Sequence, residues 1–240
     1  MISVLAKVLE KFTIEIIPNL PIFVRTPLYL NILKLRKVKD RLRFVATNKN
    51  PSFEERLDYA LDSRANLNNS GEKLHDFNSN VVLEEIKEGP VKIYKFIPPN
   101  SSKEKYGIYF HGGGYFAGSI TSHKNLISQI SNDSNLIIYF FEYRLSPEYN
   151  FPSAHEDAKL AVDFINTLHP DHQSIWIGES AGGGLATGLV VDKEYLEKPD
   201  NLILLSPWLD LSDGFEDKKF FKNSDVTIII EGMFEVGEFY

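Results

Sequence analysis

The chain has 240 residues, 43% hydrophobic and 25% charged, which fits one large soluble globular domain with a substantial core. It contains no cysteine, so disulfides and thiolate metal sites are excluded. The net charge of −7 argues against general nucleic-acid binding, but it hides an asymmetry: residues 1–50 carry 10 Lys and Arg against 3 Asp and Glu, and the other 190 carry 16 against 30. No unbroken apolar run approaches the roughly 20 residues of a membrane helix. Lys7, Glu10, Lys11 and Glu15 interrupt the apolar start, and neither a basic leader nor a small-residue cleavage site is present. A signal peptide is therefore not read, and a cytoplasmic location is expected.

Val4, Leu5, Val8, Leu9, Phe12 and Ile16 recur at three- and four-residue spacing, which predicts an amphipathic helix ended by Pro18, Pro21 and Pro27. A second helix is expected over Leu28–Phe44, carrying Lys34, Arg36, Lys37, Lys39, Arg41 and Arg43. That basic cluster reads first as a solvated helix face, second as attraction to an anionic membrane surface, and last as a nucleic-acid contact. A third helix is expected over Pro51–Asn66, with Phe53, Leu57, Ala60 and Leu61 on one face. Residues Asn66–Asn80 are rich in Asn, Ser and Gly and read as a loop. The expected division is an N-terminal helical cap or arm, 1–75, followed by a body, 76–240.

Two strand-like runs, Val81–Ile86 and Val91–Ile97, flank Lys87-Glu88-Gly89-Pro90 as a hairpin. Strands then alternate with helices: strand Tyr106–Phe110, a helix near Ser122–Ser131, strand Leu136–Phe141, and a helix near Ala154–Thr167. Strand Ser174–Ile177, helix Ala181–Lys193 and strand Leu202–Leu205 follow. This alternation predicts an α/β fold whose mostly parallel, doubly wound sheet carries sites at the carboxyl ends of its strands.

Two turns carry the chemistry. The run Gly178-Glu179-Ser180-Ala181-Gly182 is G-x-S-x-G between a strand and a helix, the setting of a nucleophile elbow. Upstream, strand Tyr106–Phe110 runs into His111-Gly112-Gly113-Gly114. Such a loop can turn backbone N–H groups toward an oxyanion opposite Ala181 N–H. It lacks both the Gly-Lys-Ser/Thr ending of a phosphate loop and the G-x-G-x-x-G spacing.

These residues resemble the hormone-sensitive-lipase-like branch of the α/β-hydrolases, which includes carboxylesterases and arylacetamide deacetylases. The resemblance also rests on Tyr143-Arg-Leu-Ser-Pro-Glu148 with Phe151-Pro-Ser-Ala154 and Asp157, and on Leu205-Ser-Pro-Trp-Leu-Asp210. It implies that Ser180 is the nucleophile of a carboxylic ester hydrolase, that Gly112, Gly113 and Ala181 donate to the oxyanion, and that His111, Gly114, Gly178 and Gly182 support them. It further implies that the Tyr143–Asp157 block braces the site and that the N-terminal helices contribute to a cap. Glu179 stands where the family often has Asp, which changes what the carboxylate reaches. A small-molecule ester is the expected partner, and neither metal nor cofactor is implied, since serine acyl transfer needs only a base and oxyanion donors.

The family order of nucleophile, acid and histidine is not completed. His75, His111, His123, His155, His169 and His172 all precede Ser180. By resemblance, residues 225–240 match the start of a cap insertion, although Val226–Ile230 has strand propensity. The expectation is therefore a chain truncated within the cap, lacking the last strands. The alternatives are a complete enzyme rewired around an upstream histidine, with Asp210 as acid, and a non-catalytic ligand-binding pseudo-hydrolase.

Overall fold

Runs of β-branched and aromatic residues separated by amphipathic helices form one sheet in the computed structural model, which describes residues 52–211 except His75 and Glu88. The two helices expected before residue 50 and the segment 225–240 lie outside the described residues. Phe53–Asp210 belong to one compact unit.

The strands are β1 (Val82–Ile86), β2 (Lys92–Ile97), β3 (Lys105–Phe110), β4 (Ile137–Glu142), β5 (Gln173–Glu179) and β6 (Asn201–Leu205), in the order β1-β2-β4-β3-β5-β6. β1 and β2 form the expected hairpin, with Val82 opposite Ile97 and Ile86 opposite Ile93. β2 is antiparallel to β4, whereas β3–β4, β3–β5 and β5–β6 are parallel. The parallel strands require crossovers. These are supplied by α2 (Ile120–Ser134), α3 (Ser153–Thr167) and α4 (Ala181–Val191), while α1 (Phe53–Leu74) precedes the sheet.

Tyr94, Phe96, Tyr109, Ile138, Phe140 and Ile177 form a buried cluster with Ile127 of α2. The alternate positions Ile108, Phe110, Phe141 and Trp176 are fully buried as well, as period-two alternation requires of a sheet covered on both faces. Each such side chain contributes about 1.5–3 kcal/mol relative to exposure, so the core that fixes the strand ends is large. Among the described residues β6 has one hydrogen-bonded neighbour, β5.

Two expectations about α1 are corrected. The helix runs on through the Asn- and Ser-rich stretch to Leu74, where a loop was expected from Asn66. Tertiary contacts outweigh local propensity here: Ser119 Oγ donates to Asn68 Oδ1 at 2.7 Å, and the backbone at Gly71 lies flush on Ser122 of α2, where no side chain would fit. The expected apolar face docks only in part: Ala60 is the one buried residue of α1 and Leu57 is half-buried, whereas Phe53 and Leu61 are each 49% exposed. The docking stripe is Ala60, Arg64, Asn68 and Gly71, at four-, four- and three-residue spacing.

Candidate active site

β5 continues two residues beyond its expected end because β6 pairs with it as far as Glu179 opposite Leu205. The ladder thus reaches the residue before Ser180, whose N–H donates to Leu205 O at 3.0 Å. Ser180 has φ 49° and ψ −117°, a conformation that costs a non-glycine residue on the order of 1–3 kcal/mol. The surroundings hold it there. Ser180 O accepts from Trp208 N at 2.8 Å, Gly183 N at 3.0 Å and Gly184 N at 3.2 Å. A Cβ on Gly182 would collide with Phe110 O, and one on Gly178 would lie 2.7 Å from Gly183 Cα. Both glycines are steric necessities of the turn.

Serine at a helix N-cap ordinarily accepts a hydrogen bond from the first turn. Ser180 makes no such bond, so its hydroxyl is not committed to capping. Ala181 begins α4, and its N–H has no acceptor within the helix. The dipole of α4 favours negative charge at the same end.

The glycine loop leaves β3 beside this turn, because Phe110 pairs with Gly178. Gly113 has φ 118°, Gly114 φ 62° and Tyr115 φ 64°, and Gly113 O accepts from Phe116 N at 3.2 Å and Ala117 N at 2.9 Å. A Cβ on Gly113 would strike Ala117 O. Gly112 rests on Glu179: a Cβ there would lie 3.0 Å from Glu179 Oε1 and 3.2 Å from its backbone O. The structure thus brings His111, Gly112 and Gly113 to the same strand ends as Gly178, Ser180, Ala181 and Gly182.

Under the loop lies a polar layer that sequence reasoning did not assemble. His111 is fully buried, its Nδ1 lies 2.8 Å from Gly112 O, and its ring stacks on Tyr143 at 4.0 Å. The Tyr143 hydroxyl donates to His111 O at 2.9 Å. The carbonyl partner makes Nδ1 the N–H donor, and Nε2 has no partner among the described residues. Burial, and then the neighbouring His123, lower the His111 pKa to about 3, so this ring is neutral at physiological pH. The Tyr109 hydroxyl donates to Glu179 Oε2 at 2.6 Å, and His123 Nε2 lies 3.6 Å from that same oxygen. His123 first, and Tyr109 after it, hold the Glu179 carboxyl below its usual range against the opposing effect of burial. The longer acid at 179 is what spans to both groups. Its position beside the nucleophile motif was legible; its partners, 70 residues away for Tyr109, were not.

The Tyr143–Asp157 block is cross-braced. Asp157 accepts from Arg144 N at 2.8 Å and from Arg144 Nε at 2.9 and 3.0 Å, which ties the loop after β4 to α3. The other described histidines lie elsewhere. His155 packs against Gly188, eight residues and so about 12 Å along α4 from Ser180. His169 stacks on Tyr106 at 4.4 Å, level with Ser174 and roughly 20 Å down β5 from Ser180. His172 packs against His169. Among the described residues no histidine hydrogen-bonds the Ser180 hydroxyl. Asp210 uses its backbone carbonyl to accept from Trp208 Nε1 at 2.9 Å. No cluster of three His, Cys, Asp or Glu suited to a metal occurs among the described residues, and no described helix is long and apolar enough to cross a membrane.

A sheet of six strands among the described residues, with a strained serine at the β5–α4 turn and a glycine loop beside it, defines the class of protein. A family model described as alpha/beta hydrolase fold matches residues 107–238, and the chain belongs to that family. It is 33% identical over 134 residues to an ethyl acetate hydrolase of Pseudomonas putida, covering 51% of this chain and 42% of that protein. It is 29% identical over 173 residues to arylacetamide deacetylase-like 3 of Mus musculus, covering 65% and 42%. The chain thus spans about two-fifths of the length of these curated relatives. Among solved structures, a hormone-sensitive lipase from a metagenome library aligns with a TM-score of 0.71 at 28% identity, covering 88% of this chain and 66% of that one. A related homologue, EstE7, aligns at 0.69 and 26%, covering 88% and 67%.

Proposed function

We propose that the site belongs to a carboxylic ester hydrolase in which Ser180 is acylated, with Gly112, Gly113 and Ala181 N–H groups receiving the oxyanion and His111, Gly114, Gly178 and Gly182 holding them in place. The observation that carries this reading is the strained backbone of Ser180, which leaves its hydroxyl uncommitted at the start of α4 beside the glycine loop. Strain maintained by close packing serves an exposed nucleophile better than it serves a plain turn. Helix α1, over the loop, is the described part of the proposed N-terminal cap. Hydrolysis would begin with attack of Ser180 Oγ on the acyl carbon. The carbonyl oxygen would gain charge toward the three N–H groups, the alcohol would leave with the serine proton, and water would then cleave the acyl-Ser180 ester, releasing the acid and restoring the hydroxyl.

The attack needs a base, and no described histidine touches the serine. Losing the histidine of a serine triad costs on the order of 10⁶ in kcat. Turnover of short p-nitrophenyl esters by this 240-residue chain should therefore fall near that of Ser180→Ala. Slow, stoichiometric phosphonylation of Ser180 by a fluorophosphonate, read by intact mass over hours and absent in Ser180→Ala, is the expected result. The missing histidine contact favours one second reading, a pseudo-hydrolase that binds ester-like ligands. Ligand-induced thermal stabilisation without any mass shift would favour it. For residues 1–50, at most weak binding to anionic vesicles is proposed, fading as salt shortens the Debye length below ~10 Å at 0.1 M. Binding indifferent to salt and lipid charge would contradict that.

A further inference from the structure

Arg64 of α1 lies outside the region matched by the family model, yet its hydrogen bonds lead to the glycine loop and the neighbouring Ser146–Glu148 segment. Its Nε donates to Phe116 O at 2.7 Å, and Nη2 donates to Ser146 O at 2.8 Å. Nη1 and Nη2 grip the two carboxylate oxygens of Glu148, each at 2.7 Å. Arg64 is the main reason the Glu148 carboxyl sits below its usual range, so the fork meets a charged partner. The side chains are 20% and 33% exposed, and the hydrogen bonds to the two carbonyls are part-buried.

The two segments it joins are already in register. Ser146 N donates to Tyr115 O at 2.9 Å, one residue before the carbonyl that Arg64 holds. Phe116 N and Ala117 N both turn back to Gly113 O. Fixing the Phe116 carbonyl therefore fixes the peptide planes that follow Gly113, in a loop where three consecutive residues have positive φ. The same helix adds a ring contact, Tyr59 against Phe116 at 5.6 Å, and the Asn68–Ser119 hydrogen bond at the loop's far end.

We propose that Arg64 is a positioning residue: its guanidinium locks the glycine loop to the Ser146–Glu148 segment, so that α1 sets the aim of the loop N–H groups at Ser180. The consequence for chemistry rests on the reading of Ser180 as an acylated nucleophile; the locking of the loop does not. Lysine keeps the charge but cannot supply a planar fork to three acceptors, so Arg64→Lys should behave largely like Arg64→Met.

Two measurements on the full chain test it. Amide exchange of Phe116, Ala117 and Ser146 should quicken at least about tenfold in Arg64→Met, with the β4 amides of Tyr139 and Phe141 unchanged, as expected of a local opening. Fluorophosphonate labelling of Ser180 should show the maximal inactivation rate falling about tenfold to 100-fold, with the inhibitor concentration for half-maximal rate held within about twofold, because misplaced donors act on the transition state. Methylguanidinium should restore part of that rate to Arg64→Gly, which a role in general stability would not predict. Unchanged loop exchange, or equal acceleration throughout the sheet, would overturn the proposal. If the unsubstituted chain does not label, the esterase reading fails, and exchange still decides Arg64.

Discussion

The two ends of the same strands hold similar residues to different effect. At the amino end, Tyr106 and Tyr139 surround His169, with Tyr139 Oη 2.7 Å from His169 Nε2 and Tyr106 Oη donating to Asn166 Oδ1 at 2.6 Å. At the carboxyl end, Tyr109, Tyr143, His111 and His123 cluster beneath the glycine loop. Burial lowers the pKa at both ends, to about 4 for His169 and about 3 for His111. A cluster of titratable rings therefore does not define a site here. The difference lies in the backbone: the amino end has one positive-φ residue before β4, Asn135, an αL helix cap at φ 55° and ψ 30°, whereas the carboxyl end holds Ser180 at φ 49° and ψ −117° and three consecutive positive-φ residues in the glycine loop. The proposed reactive end is built from the main chain, with the aromatic layer as its footing.

Substitutions that touch the main chain should break this contrast most strongly. Gly182→Val places a side chain into Phe110 O, where neither strand nor helix can yield. It should cost about 3 kcal/mol or more in urea unfolding and abolish Ser180 labelling. Retained labelling would mean that the turn is not a steric necessity.

Acid should sharpen the comparison next. The unfolded chain protonates the His111 position as pH falls through 6.5, while the folded chain does so only near 3. Stability should therefore decline across that window, by up to ~1.4 kcal/mol per pH unit from this group alone. His169 acts in the same direction down to about 4, and Glu179 adds to the loss below its ordinary 4.5. Urea midpoints at several pH values should give a shallower slope for His111→Phe than for the unsubstituted chain. An equal slope would remove His111 from the account.

The smallest effect belongs to the amino end. Tyr139→Phe deletes the hydrogen bond to His169 and should cost about 1 kcal/mol in thermal unfolding. The rate of Ser180 labelling should not change. A slower rate would show that the two ends are coupled through β3 and β4.

What the sequence disclosed follows the same division. Gly178-Glu-Ser-Ala-Gly182 and His111-Gly-Gly-Gly114 were legible because main-chain geometry must be encoded locally, by glycine at fixed offsets. The strands were legible from their apolar runs, and the end of β5 was underestimated because Gly178 and Glu179 join it through pairing with β3 and β6. Helix α1 was only partly legible because its docking stripe is mostly polar and small: of the expected apolar residues Ala60 lies on it, while Phe53 and Leu61 are exposed. Arg64, whose partners lie 52 to 84 residues away, left no local signal at all. The partners of Glu179 were hidden for the same reason.

The central claim is that Ser180 and the loop N–H groups converge on one reacting centre. A crystal structure of the chain after prolonged exposure to a fluorophosphonate tests it most directly. The account predicts phosphorus bonded to Ser180 Oγ, with its oxygen about 2.7–3.1 Å from Ala181 N and from Gly112 or Gly113 N. An adduct whose oxygen points away from all three donors, or a modified residue other than Ser180, would contradict it.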